Sequence, residues 1–165
     1  MKVNKIDSDV YHVQNPAIGA AILWKFTQGY YAKNSYPVPF PLLFIVLPII
    51  FREDLCTVIK STQKGKGISK VSQKLFDTKK KDNLYAVNNS AIVLRELTLE
   101  SFNMGVAAKL MAMDKSTAMV YPILEKGRNM ESDSVSTLLN AAEKLGGWCA
   151  ELTLLEICDW LKVRF

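Results

Sequence analysis

The feature that most restricts the fold is a well-marked helix start that is followed closely by a long apolar stretch. Asn15 and Pro16 are residue types favoured at the N-cap and at the first position of a helix. From Ala17 to Tyr31 the apolar residues fall on more than one helical face. A helix of this kind needs neighbours on several sides, so we predict a central, buried helix that begins at Pro16.

The next stretch, residues 36–51, has no charged residue and is rich in proline. Its early prolines leave about a dozen helical residues from Phe40, or roughly 18 Å, whereas the hydrocarbon core of a bilayer is about 30 Å thick. We therefore predict a buried core segment with a kink at Pro48, and not a membrane span.

The rest of the chain predicts a fold that is mainly α with a short β element, in one compact domain over residues 1–165. A hydrophobic content of 49% is sufficient for one core at this length. We expect an N-terminal helical core (14–62), a middle unit (67–125) and C-terminal helices (134–165). Helices are predicted at residues 52–61, 68–76, 84–94, 98–113 and 134–145, and a last helix is predicted in the final segment, which contains Trp148. A strand is predicted at 118–124, and turns are predicted at 78–83 and 126–129. Gly146 and Gly147 are expected to end the helix that precedes that final segment.

The order of elements in the middle unit is compatible with a winged helix-turn-helix, in which residues 98–113 would form the recognition helix. Thr98 is expected to cap this helix, which carries Ser101 and Asn103 near its start and Lys109 as a cation. It has no cluster of basic residues that could contact phosphates or base edges. A helix that serves only for packing or protein contact is therefore the favoured interpretation.

Lysines are concentrated in one segment of the chain. The formal net charge is +5, and between residues 60 and 81 Asp77 is the single acidic residue. An anionic partner, either an acidic protein surface or a phosphate backbone, would be expected here, although a solvated lysine face also explains the pattern. The candidate contact residues are Lys64, Lys66, Lys70, Lys74, Lys79, Lys80 and Lys81.

The C-terminal segment is unusually aromatic for its length. Two tryptophans, Trp148 and Trp160, exceed what one buried face of a short helix readily covers. We predict that Trp148, Trp160 and Phe165 contribute to a protein interface, although ordinary packing of the tryptophans in the core also explains the pattern.

The residues that carry most enzymatic and metal chemistry are sparse. His12 is the only histidine, and the three cysteines are widely spaced, which disfavours zinc sites, Cys–His catalysis and a disulfide framework. Gly65-Lys66-Gly67 lacks the spacing of a nucleotide-binding loop. We therefore expect no catalytic residue, metal or cofactor. The N-terminus lacks the apolar core of a secretion signal, so the expected compartment is the cytoplasm.

Several segments together resemble the middle component of bacterial three-component ABC ATPase systems, over nearly the whole chain. They are Asn15-Pro16-Ala17 with Trp24-Lys25-Phe26 and Gly29-Tyr30, Pro39-Phe40-Pro41-Leu42-Leu43, Leu145-Gly146-Gly147-Trp148, and Leu161-Lys162-Val163-Arg164. The resemblance implies a small non-enzymatic adaptor that bridges an SMC- or Rad50-like ABC ATPase and an effector component. Such systems are expected to act in defence against phages or other mobile elements.

The alternative is a stand-alone winged helix-turn-helix regulator of transcription. In that case the lysine segment would contact phosphates, and residues 98–113 would enter the major groove. Sequence-specific binding to a duplex with steep salt dependence would favour the regulator, whereas weak and sequence-indifferent binding would favour an adaptor.

Overall fold

The computed structural model describes residues 15–77, 81–123 and 133–165. These residues form a mainly helical fold with a small β-sheet, which confirms the predicted fold class. The helices are α1 (Pro16–Asn34), α2 (Val46–Ile50), α3 (Glu53–Ser61), α4 (Gly67–Asp77), α5 (Lys81–Val93), α6 (Arg95–Ala107), α7 (Asp133–Cys149) and α8 (Leu154–Leu161). The strands are β1 (Val38–Pro39), β2 (Met111–Asp114) and β3 (Met119–Pro122), and two 3-10 helices span Phe40–Ile45 and Lys64–Lys66.

Helix α1 is the central element, as its sequence predicts. The Asn15 side chain accepts a hydrogen bond from the Ala17 N–H at 2.8 Å, and Pro16 occupies the first turn. Ile22, Leu23 and Phe26 are completely buried. The most extensive contacts of α1 are with α7 and α6, so it forms the centre of the helical packing.

The apolar stretch is buried as predicted, but its geometry changes along its length. It begins with β1, continues as the first 3-10 helix and becomes α-helical at Val46. Pro48 lies in the first turn of α2, where N–H groups have no partner within the helix, so the predicted kink is replaced by this change of helical type. No helix in residues 15–77, 81–123 and 133–165 has both the length and the apolar character needed to cross a membrane.

The sheet has three antiparallel strands in the order β1-β3-β2. Val120 of β3 is the central position, because it pairs with Val38 of β1 and Met113 of β2. Strand β3 lies within the predicted strand 118–124, whereas the other two strands were not predicted.

The predicted helix 98–113 is wrong at both ends. Helix α6 begins at Arg95, so Thr98 is buried inside it and is not its cap. The chain leaves the helix after Ala107 because Lys109 has left-handed backbone geometry with φ of 58°. Residues from Met111 onward then pair with β3 as a strand.

The prediction that Gly146 and Gly147 end a helix is also wrong. Helix α7 continues through both glycines to Cys149, and Gly146 packs against the backbone of α1. Absence of a side chain there serves close helix–helix approach and not termination. Trp148 consequently belongs to α7 and not to the last helix.

The last helix has its own start signal. Thr153 and Glu156 form a capping box, in which the Thr153 N–H donates to Glu156 Oε2 at 2.7 Å and the Glu156 N–H donates to Thr153 Oγ1 at 3.3 Å. Helix α8 ends at Lys162, whose φ of 56° turns the chain into a C-terminal tail.

The other predicted elements agree with the structure to different degrees. Helices α3 and α4 confirm the predictions at 52–61 and 68–76, and Ile68, Val71 and Leu75 of α4 are buried as expected. Residues 81–83 of the predicted turn at 78–83 are helical instead, because α5 begins at Lys81, and residues 78–80 lie outside the described residues. The predicted turn at 126–129 lies outside the described residues, as does His12.

Candidate interaction surfaces

The structure brings two groups of sequence-predicted residues together where α4 faces α8. Here a shallow depression of about 470 Å³, which we call the lysine–tryptophan surface, is lined by Lys66, Ser69, Lys70, Ser72, Gln73 and Trp160. Trp160 is 41% exposed, and Lys70 Nζ donates to Gln73 Oε1 at 3.0 Å. An exposed indole that shares a depression with lysine side chains can contact an acidic protein segment or the bases and phosphates of a nucleic acid.

Lys74 does not belong to this exposed surface. Its Nζ donates to the Ser61 carbonyl at 3.2 Å and to Thr62 Oγ1 at 3.0 Å, at the C-terminal end of α3. A cation at this end of a helix is favoured by the helix dipole and by unpaired carbonyl groups. Lys74 therefore has a structural role within the fold.

Lys144, which sequence analysis did not select, caps the same helix end. Its Nζ donates to the carbonyl oxygens of Ile59, Lys60 and Thr62 at 3.1, 3.0 and 2.9 Å. Burial lowers the pKa of Lys144, and the neighbouring charges of Lys64 and Lys74 lower it further. The sequence offers little signal for this role, because the capped helix lies more than eighty residues earlier in the chain.

Trp148 is buried, which corrects its predicted place in a protein interface. It is 3% exposed, and its indole N–H donates to the Lys64 carbonyl at 2.6 Å. The hydrogen bond uses the backbone of Lys64, whose side chain remains exposed. Lys79 and Lys80 lie outside the described residues, and Lys81 begins α5.

A second and larger depression lies beside the C-terminal tail. This terminal groove has a volume of about 970 Å³ and is walled by the first 3-10 helix, by α5 and by the end of α8 with the tail. Its lining consists of Phe40, Pro41, Phe44, Ile45, Tyr85, Asn88, Ala91, Ile92, Arg95, Cys158, Asp159, Lys162, Val163, Arg164 and Phe165. Among the residues that we predicted for a protein interface, only Phe165 lies here.

Large apolar side chains of the terminal groove are exposed to solvent. Ile92 is 74% exposed, and Tyr85 and Phe165 are each 52% exposed. Phe40 packs edge-to-face on Phe44 and Phe102, with ring centroids 5.4 and 5.0 Å apart, which anchors the floor to the core. The groove therefore combines an anchored aromatic floor with exposed apolar walls.

The tail that forms one wall is fastened to α5 by one side chain. Asn88 Nδ2 donates to the Lys162 carbonyl at 2.7 Å, and Asn88 Oδ1 accepts from the Arg164 N–H at 3.0 Å. Val163, between them, is 3% exposed. These contacts hold the tail against the fold and fix the edge of the groove.

The charge of the groove is mainly positive. Arg95, Lys162 and Arg164 line it together with one acidic residue, Asp159. Among the described residues, none of these three cations forms an ion pair; the ion pairs found there are Lys25–Glu143, Lys33–Glu151 and Arg52–Asp54. The positive charge is thus available to a ligand.

Sequence analysis missed the groove because its walls come from three distant segments. A signal was present in the consecutive apolar residues Ala91, Ile92 and Val93, since one face of a helix cannot bury three neighbours. Which of these side chains are exposed to solvent can be determined only from the packing of α5 in the fold.

In residues 15–77, 81–123 and 133–165, no group of three or more His, Cys, Asp or Glu side chains could hold a metal ion. All three cysteines are free thiols, and burial raises the pKa values of Cys56 and Cys149. Cys158 is half-buried in the groove lining.

The helix that we considered for DNA recognition packs on α1. Ser101, Phe102 and Gly105 of α6 are buried, and the Ser101 side chain lies directly against Gly19. Its exposed side includes Glu96, Asn103 and Met104 and gives no basic cluster. The winged helix-turn-helix arrangement remains a prediction.

Comparison with protein families shows a match to the family described as ABC-three component (ABC-3C) system Middle Component 3, over residues 3–165. Comparison with curated proteins and with solved structures gave no match. The family match covers both surfaces and nearly the whole chain, and it confirms the resemblance seen in the sequence.

Proposed function

The chain belongs to the ABC-three component system Middle Component 3 family, and from this premise we propose that it is a non-enzymatic adaptor. In this proposal it binds an SMC- or Rad50-like ABC ATPase and an effector component. The complex acts in the cytoplasm in defence against phages or other mobile elements. No cofactor is required, because the adaptor contributes binding surfaces and not chemistry.

The observation that supports this proposal most directly is that two separate surfaces share helix α8. Trp160 faces the lysine–tryptophan surface, whereas Cys158 and Asp159 line the terminal groove. Ile157 and Leu161 form the buried face of the same helix. A protein that joins two partners needs two separate surfaces, and helix α8 contributes residues to both of these.

The shared helix also suggests how the adaptor transmits a signal. ATP binding and DNA engagement by the ATPase would change the surface that it presents to the adaptor. The adaptor passes this change to the effector only if its contacts differ in free energy between the two states of the ATPase.

The test is a tagged pull-down from cells that also express the co-encoded ATPase and effector, with and without ATP, followed by mass spectrometry. We expect wild-type protein to recover both components. Trp160→Ala with Lys66→Glu should lose one component, and Ile92→Glu in the groove should lose the other. Recovery of neither component by wild-type protein would refute the adaptor function, and recovery of DNA without a protein partner would favour a regulator.

A further inference from the structure

We propose that the terminal groove binds an amphipathic helix with acidic flanking residues, which belongs to one of the two protein partners. This inference rests on the proposed adaptor function and adds the chemistry of the partner segment. The groove is the surface of about 970 Å³ between the first 3-10 helix, α5 and the C-terminal tail.

The apolar walls of the groove require an apolar ligand. Ile92, Tyr85 and Phe165 are half or more exposed. Each is a large side chain whose transfer from water into an apolar contact is favourable in free energy. Phe40 and Phe44 below them are held by edge-to-face packing, so the floor is already formed before a ligand arrives. Preformed apolar grooves of this kind accept the apolar face of a helix with anchors at i, i+3, i+4 and i+7.

The backbone of the groove favours a helix over an added strand. An extended peptide gains affinity from hydrogen bonds with a free strand edge. Here the Lys162 carbonyl and the Arg164 N–H already bond to Asn88, and the Val163 N–H bonds to the Cys158 carbonyl at 3.2 Å. A helix satisfies its own backbone groups and needs only the apolar walls.

The charge of the groove selects acidic flanks. Arg95, Lys162 and Arg164 line it without ion pairs among the described residues, and Asp159 is the one acid of the lining. Carboxylates on the ligand would complement these cations and would exclude basic helices by like-charge repulsion. Guanidinium groups at two of the three positions also suit paired hydrogen bonds to carboxylates.

The concave shape favours a protein helix over a membrane surface. Apolar side chains that enter a bilayer lie on the face of an element that projects into the lipid. Ile92 and Phe165 instead line a depression, where a flat bilayer would leave the floor at Phe40 uncovered. Vesicle binding is therefore an alternative outcome of the test.

The test uses fluorescein-labelled peptides of about 20 residues that tile the sequences of the co-encoded ATPase and effector, which is enough for a helix to cover a groove. Fluorescence anisotropy measures their binding to the full chain. We expect binding by acidic, amphipathic peptides, with affinity reduced about tenfold or more by Ile92→Glu. Val93→Glu is the matched control, because Val93 is 78% exposed on the same helix but does not line the groove.

Charge reversal tests the electrostatic part of the inference. Arg95→Glu with Arg164→Glu should weaken the acidic peptide about tenfold, and replacing the flanking Glu residues of that peptide by Lys should restore its binding to the variant. Lys115→Glu, in the exposed β2–β3 connection, is the control and should leave the affinity of the original peptide unchanged. Circular dichroism of each variant verifies that the fold is retained.

The outcomes separate the inference from the function on which it rests. If wild-type protein recovers both components and Ile92→Glu recovers them equally well, the groove proposal is refuted and the adaptor function stands. If wild-type protein recovers neither component, the adaptor function is refuted, and the groove proposal that rests on it is refuted as well. Binding of only basic or extended peptides, or groove-dependent flotation with phosphatidylglycerol vesicles in place of peptide binding, would also overturn the groove proposal.

Discussion

Gly146 of α7 packs directly against the carbonyl oxygen of Phe26 in α1, with no side chain between the two backbones. Gly29 of α1 makes the reciprocal contact with the backbone of Glu143 in α7. The two central helices therefore meet through their main chains, and two glycines set how closely they approach.

Gly146→Ala should destabilise the fold because its methyl group would overlap the Phe26 carbonyl, which cannot move without separating the helices. We expect a loss of about 1–3 kcal/mol, typical of an overpacked core, measured by urea denaturation. Gly147→Ala is the matched control: its methyl group would lie 3.6 Å from the Gly29 carbonyl, an ordinary contact. The control should be neutral or stabilising by up to about 1 kcal/mol, since alanine favours helix. Equal effects of the two substitutions would contradict this account.

Lys144→Met should destabilise the protein because the Lys60 and Thr62 carbonyls at the end of α3 lose the ammonium donor, while the Ile59 carbonyl retains its bond from the Thr62 N–H. The expected loss is about 1–3 kcal/mol in urea denaturation. Lys33→Met is a suitable comparison, since Lys33 forms a surface ion pair with Glu151 at 2.7 Å and such pairs contribute about 0–1 kcal/mol. A Lys144 variant no less stable than the Lys33 variant would show that the cap is unimportant.

Lys144 should also titrate at lower pH than an ordinary lysine. Burial is the main cause of its lowered pKa, and repulsion from Lys64 and Lys74 adds to it. The pKa of Lys144 in the folded state lies below its ordinary value of 10.5. In the alkaline pH range between these two pKa values the unfolded state binds more protons than the folded state. The contribution of Lys144 to the free energy of unfolding therefore rises with pH in that range. Lys64→Met should raise the pKa of Lys144 in an NMR titration of the Lys side chains. An unchanged titration would refute the predicted coupling.

The three thiols should differ in reactivity. Burial raises the pKa values of Cys56 and Cys149, which disfavours the reactive thiolate, whereas Cys158 is only half-buried in the groove. Iodoacetamide at pH 8 should modify Cys158 first in native protein and all three thiols in urea, as followed by peptide mass spectrometry. Cys158→Ser should remove the early phase. Labelling of Cys149 as fast as Cys158 would contradict the buried position of α7.

Asn88→Ala should loosen the tail without unfolding the core, because the Lys162 carbonyl and the Arg164 N–H lose their common partner. We expect faster hydrogen exchange at residues 163–165, with exchange in α1 and α7 unchanged. Asn89→Ala, at the exposed neighbouring position of α5, should leave exchange of the tail unaltered. Protection of the tail that persists in Asn88→Ala would show that Val163 packing alone holds it.

Much of the helical framework follows from local sequence signals. Asn15 and Pro16 mark the start of α1 because capping depends on a few adjacent residues, and Ile68, Val71 and Leu75 reveal the buried face of α4 by their spacing. The failures have a different origin. Gly146 resembles a helix stop in sequence, and only the presence of α1 at its side makes it an interior residue.

The candidate surfaces were less predictable than the helices. Lys66, Lys70 and Trp160 were selected individually, but their proximity depends on the packing of α4 on α8. Met111 could not be assigned to a strand locally, since its partner Pro122 lies across the β2–β3 hairpin. The terminal groove depends on three segments meeting, and their contacts are set by the tertiary fold.

The unequal burial of the three tryptophans gives the protein an intrinsic optical reporter. Trp24 and Trp148 are 5% and 3% exposed, so an aqueous quencher such as iodide reaches mainly the indole of Trp160. The quenchable fraction of the emission therefore describes one side of helix α8. A partner on the lysine–tryptophan surface shields that indole from iodide, whereas a ligand in the terminal groove leaves it open, so unlabelled protein distinguishes which surface is occupied.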